Sequence, residues 1–141
     1  MRRWAGGLLA ALTLASCGST GLSASQLRAS AIRLCGVTTR RAAAIALPEV
    51  PSAGQRFLSG GIAALAPEVT QLHELGATGT FRDAVTATSA ELATLRSTLK
   101  GLRAGNDPVV AIKTLQQELL PLETKANRAW QTLGISACVS R

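Results

Sequence analysis

Besides its hydroxyls and lysines, this 141-residue sequence has three cysteines, one histidine and eight carboxylates with the chemistry to act as nucleophiles, metal ligands or acid–base groups. A metal centre draws on several convergent His, Cys or carboxylate ligands, and His73 has no second histidine to join it. Glu68, Glu74, Glu118 and Glu123 fall in helical segments and could face inward, as the carboxylates of a two-metal helical bundle do. That chemistry uses Glu-x-x-His pairs at helical spacing; here Glu74 directly follows His73, the wrong order and the wrong step. Serine hydrolysis needs a nucleophile on a strained Gly-x-Ser-x-Gly turn with a His base, and that motif does not occur. A phosphate-cradling loop needs glycines between a strand and a helix, whereas Gly60-Gly61 lies inside a helical stripe. No catalytic residue, cofactor-binding residue or metal ligand is assigned, and an enzyme is not expected. His73, flanked by Leu72 and Leu75, reads as a surface or partly buried structural residue, and Trp130 as a core anchor, with an exposed ligand-stacking role as its alternative.

The cysteines take their meaning from the N-terminus. Arg2 and Arg3 precede an apolar run from Trp4 to Ala15 that breaks into Ser, Cys, Gly, Ser and Thr. A spanning helix needs about 20 apolar residues; this shorter run, with positive charge before it and small residues after it, reads as a cleaved export signal. The arginine pair also fits twin-arginine export, but Trp4, Ala5 and Gly6 suit that pattern poorly, so general secretion is expected. Leu14-Ala15-Ser16-Cys17 resembles the lipobox of bacterial lipoproteins. The resemblance implies that residues 1–16 are removed, that the Cys17 thiol is acylated, and that the chain sits on the extracytoplasmic face of the cell membrane, held by lipid. The alternative is an ordinary secretory signal in which Cys17 is incidental. With Cys17 assigned to lipid, Cys35 and Cys138 remain, and an oxidising compartment favours a bond between them; two free buried thiols are the alternative. By chain-entropy arithmetic, closing a loop of about 100 residues is worth at most about 4.7 kcal/mol, against a typical domain stability of about 5–15 kcal/mol.

Composition narrows the partners. The formal charge is +7, and loss of Arg2 and Arg3 leaves 13 basic against 8 acidic residues, a net +5. Because the chain is expected to be exported, nucleic acid is not the expected partner even at this charge; an anionic membrane surface or an acidic envelope polymer is. The basic residues are scattered along the sequence, as on solvated helix faces. After the signal the aromatics are Phe57, Phe81 and Trp130, and a core of Leu, Ala, Val and Ile suits packed helices better than a sheet.

These residues must be positioned by four helices. Residues 17–22 read as a flexible tether and 23–141 as one bundle domain. Ser23 and Gln26 have capping-box spacing, and Leu27, Ala31, Leu34, Cys35, Thr38, Ala42 and Ile45 follow at helical steps until Pro48 and Pro51. A second box, Ser52 to Gln55, opens a stripe through Leu58, Gly61, Leu65, Val69, Leu72 and Leu75, kinked by Pro67. Gly60 and Gly61 weaken it, which suggests that another helix passes close. Thr80 caps a third helix whose Phe81, Val85, Thr88, Leu92, Leu95, Leu99 and Leu102 alternate steps of four and three. Asp107 and Pro108 start the fourth, with Ile112, Leu115, Leu119, Leu122, Ala126, Trp130 and Leu133 inward and a kink at Pro121. Gly76 and Gly79 bracket one turn; Gly105 and Gly134 terminate helices. Short links imply antiparallel neighbours, hence an all-α, up-down four-helix bundle. Gly36 beside Cys35 suggests close approach of the C-terminal segment.

The segment 129–138 (Ala-Trp-Gln-Thr-Leu-Gly-Ile-Ser-Ala-Cys), with Asn106-Asp107-Pro108-Val109 upstream, resembles small helical lipoproteins of high-GC Gram-positive bacteria, in which an early helix cysteine and a terminal Leu-Gly-x-x-x-Cys recur. The resemblance implies the bundle and the Cys35–Cys138 bond and brings no activity. The leading expectation is a membrane-anchored interaction or structural module of the cell envelope, with an envelope protein or anionic polymer as partner. A lipoprotein holding a lipid or small apolar molecule between kinked helices is the alternative.

Overall fold

The computed structural model describes residues 21–76 and 78–139. The signal segment 1–16, Cys17 and most of the tether therefore lie outside the described residues. The elements run α1 (Ala24–Ala43), a 3-10 turn (Pro51–Ala53), α2 (Gly54–Glu74), α3 (Gly79–Arg103), α4 (Pro108–Thr132) and a C-terminal 3-10 turn (Ser136–Cys138). The described chain is all-α, a four-helix bundle in which sequence neighbours pack on one another. No helix among the described residues is long and apolar enough to cross a membrane.

Local chemistry explains most boundaries. Ser23 accepts from the Gln26 backbone N–H at 3.2 Å while Gln26 Oε1 accepts from the Ser23 N–H at 2.8 Å, so two orphan donors of α1 are satisfied reciprocally. Asp107 accepts from the Val110 N–H at 2.9 Å and Pro108 fills the first position of α4. At the ends of α3 and α4 the chain turns through Gly105 (φ 96°) and Gly134 (φ 67°). Each turn makes two bonds back: Gly105 to Leu102 and Asn106 to Gly101, Gly134 to Gln131 and Ile135 to Trp130. Those are Schellman pairs, which need a left-handed residue at the turn. Pro67 and Pro121 both sit inside continuous helices, each removing one helical donor.

Several boundaries differ from expectation. The Ser52–Gln55 box does not form: Pro51 seeds a 3-10 turn through Ala53, which takes the cap position of α2 without a side-chain bond. Gln55 instead donates its side-chain amide to Leu102 O at 3.1 Å. The third helix starts at Gly79, before Thr80, with Thr78 as an unbonded cap. The first ends at Ala43, short of both prolines, leaving Ile45 in the connection. The neighbour at Gly60 is that Ile45, not a helix: a Cβ there would lie 3.2 Å from Ile45 Cγ2, while Gly61 faces open space. Gly36 has only Arg40 near it, so it does not accommodate the C-terminus.

The core divides in two. At the end holding the α2–α3 turn and the C-terminus, Ala31, Leu72, Phe81, Val85, Ala126 and Trp130 pack with the two cysteines and Ile135. Trp130 is fully buried, meets Phe81 edge-on at 5.4 Å and donates Nε1–H to Thr88 Oγ1 at 3.3 Å, geometry that favours aromatic pairs and satisfies the indole donor. At the other end Leu58, Leu99, Leu102 and Leu115 form a smaller cluster from α2, α3 and α4 alone. α1 packs against α2 and against the C-terminal turn, which bridges it to α4. Arg28 reinforces that bridge by donating to Gly134 O at 2.6 Å.

Candidate functional site

Cys35, on α1, and Cys138, in the C-terminal turn, form a disulfide with 5.1 Å between Cα atoms. Both are fully buried, so the bond holds the fold and is sealed from thiols in solution. Glu68 lies beside it, its Oε1 3.6 Å from Cys35 Sγ. A disulfide sulfur carries no proton, so this is a polar contact and not a donated bond. Glu68 is only 2% exposed: Leu58, Val69 and Leu72 of the expected α2 stripe are buried, and Ala64 and Glu68 turn in beside them where Gly61 and Leu65 were expected. Thr38 Oγ1 donates to Ala64 O at 3.4 Å in the same region. Polar Thr38, Glu68 and Thr88 are thus buried between largely apolar layers.

The other carboxylates do not join Glu68. Glu74, Glu118 and Glu123 are exposed, and no group of three or more metal-ligating side chains forms among the described residues. Glu91 on α3 is half-buried, and burial, followed by the charge of Glu123 on α4, pushes its pKa up to about 7. That makes it a proton-holding carboxyl near neutrality, a state the sequence did not signal.

His73 is exposed, and its Nε2 lies 2.9 Å from Ser89 Oγ. The pairing of α2 with α3 brings a serine and a histidine together that are 16 residues apart. Ser89 Oγ also lies 2.7 Å from Val85 O, so the serine links the imidazole to the α3 backbone, and the tautomer of His73 sets which of the two donates. This arrangement pins α2 to α3.

Two surface features stand out. One is an apolar groove of about 380 Å³ between the α1–α2 connection and the start of α4, lined by Val50, Pro51, Pro108, Val109 and Ile112. Val50 and Val109 are each more than half exposed there, and Leu47 and Val110 are large exposed apolar side chains of the same two segments. The other is a trough between α2 and α3 with Arg56, Arg96, Lys100 and Arg103 on its walls. Basic residues that read as scattered in sequence converge there. The chain matches no protein-family model, no curated protein and no solved structure.

Proposed function

We propose that the chain is a membrane-anchored extracytoplasmic lipoprotein, tethered through acylated Cys17, whose helical bundle serves the cell envelope as a non-catalytic interaction or structural module. The observation that supports this reading best is the pairing of Cys35 with Cys138. A disulfide joining distant parts of a small domain is the mark of an oxidising compartment. It also uses both cysteines of the bundle, leaving Cys17 as the thiol that follows the export-type segment. Ser23 caps α1 six residues after Cys17, so a short tether would separate lipid from fold. Cys17→Ala tests the anchor: the variant should leave the membrane fraction, and its retention there would contradict the proposal.

The second reading, a lipoprotein that carries an apolar ligand, draws its support from the groove at Val50, Pro51, Val109 and Ile112. Under that reading gently extracted protein should carry one defined small apolar mass in native mass spectrometry. Bare protein under the same conditions would count against it.

A further inference from the structure

Charge is distributed unevenly over this bundle. Residues 50–67 and 92–106, like 21–48 and 124–139, contain no acid; they hold Arg56, Arg96, Lys100 and Arg103, and folding sets these four side by side where α2 begins and α3 ends. The Gln55 bond to Leu102 O fixes that register. All four cations are exposed. They line two adjoining hollows of about 490 and 480 Å³ that share Ser59 and Arg103 and so form one trough. On α3, Arg96, Lys100 and Arg103 follow an i, i+4, i+7 pattern, which puts them on one face about 6 and about 4.5 Å apart along the axis. The α2 wall presents Ser59, Ala63 and Ala66 at the same spacing, small side chains with Ile62 between them, and Leu99 of α3 faces them below the cations.

Folding alone does not account for these cations. Lys100 and Arg103 suit the negative end of the α3 dipole. Arg56 sits in the first turn of α2, the positive end, where a cation is disfavoured. Arg96 and Lys100 are like charges at i, i+4, which repel. A linear anion laid along the trough would relieve both, and three of the four groups are guanidiniums, whose fork pairs bidentately with phosphate oxygens.

We propose that the α2–α3 trough binds a linear polymer of phosphate groups through Arg56, Arg96, Lys100 and Arg103. The same headgroup chemistry exists on anionic lipids, but the trough lies at the end of the bundle opposite the start of α1. The 20 residues of α1 span about 30 Å, so the trough faces away from the tether. This choice of polymer over lipid rests on the anchored reading above.

The test titrates the full-length, detergent-solubilised protein with long-chain inorganic polyphosphate, and separately measures the gain in vesicle binding when phosphatidylglycerol is added to phosphatidylcholine. R96Q/K100Q/R103Q is compared with K113Q/K125Q/R128Q, which removes equal charge from exposed positions of α4. The trough variant should bind polyphosphate at least about tenfold more weakly at about 0.1 M salt, with the log–log salt slope reduced by about 2, as expected for three lost phosphate contacts. The α4 variant should stay within about twofold of the parent. Equal weakening by both variants, or no polyphosphate binding by the parent, would overturn the proposal. A trough-dependent gain on anionic vesicles without polyphosphate binding would overturn it in favour of lipid headgroups. Polyphosphate titration reads the folded bundle whether or not Cys17 is acylated, so its failure is distinct from failure of the anchor.

Discussion

Replacing Cys35 and Cys138 together by alanine should cost about 3–5 kcal/mol of stability. The bond spans 103 residues, and the loop-entropy relation gives about 4.7 kcal/mol for a loop of that size. The upper part of the range holds if the open chain is random; a compact denatured state lowers it. The geometry adds a reason for a large effect. α1 meets α4 through the C-terminal turn, so without the disulfide that side is held by the Arg28 bond to Gly134 and by the contacts of Ala31 and Ile135. Urea unfolding followed by far-UV circular dichroism measures the loss. With a slope of about 2 kcal/mol per molar, the midpoint should fall by about 2 M, and reduction of the parent protein should give the same shift. Hydrogen exchange should show α1 losing protection first. A midpoint change below about 0.5 M, with α1 still protected, would refute the argument that the disulfide closes the bundle.

Further outcomes follow from individual residues. Trp130→Ala should destabilise by about 3–5 kcal/mol in the same urea assay, since it empties the centre of the larger core; a loss under about 1 kcal/mol would contradict the placement of the indole between Phe81 and Thr88. Gly61→Ala should stabilise by about 0.5–1 kcal/mol, because helix propensity rises and a Cβ meets nothing within 4 Å. Gly60→Ala should gain less or lose, because its Cβ would press on Ile45; equal thermal shifts for the two variants would refute the distinction. Glu91 has a folded pKa raised from 4.5 to about 7, so the folded state holds the extra proton between those values, and this group's contribution to stability is full below about 4.5 and lost as pH rises through 7. Glu91→Gln should therefore stabilise the protein at pH 8 by about 1 kcal/mol, solvent screening at a half-buried site included, and leave it unchanged at pH 4; a gain independent of pH would exclude this origin.

Much of the fold was legible because the helices carry strong periodicity. On α3 every stripe residue from Phe81 to Leu102 except the half-buried Leu95 is buried, and the Gly105, Gly134 and Asp107 signals mark ends where they were read. The α2 stripe was less sharp. Residues 57–66 are apolar or small on all sides, so its phase is set by packing partners, and the inward face runs through Ala64 and Glu68. A buried glutamate beside a disulfide has no signature in local sequence. The Ser52 box had the right spacing, but Pro51 drives a 3-10 turn that overrides it. The cysteines pointed to the C-terminal segment reaching α1, but its 3-10 turn and the burial of Ile135 had no local signal; both follow from the docking of that segment on α1. The basic trough was invisible to a linear reading because its two walls lie about 40 residues apart, on antiparallel helices that only tertiary packing joins.

The central claim, a lipid-anchored and disulfide-closed bundle, is tested most directly by the intact mass of the full-length protein extracted from its own membrane, with thiols alkylated before and after reduction. The account predicts a chain beginning at Cys17 and heavier by its acyl groups, with no label before reduction and two labels, on Cys35 and Cys138, after it. An unacylated mass, or a Cys35 or Cys138 that takes label without reduction, would contradict it.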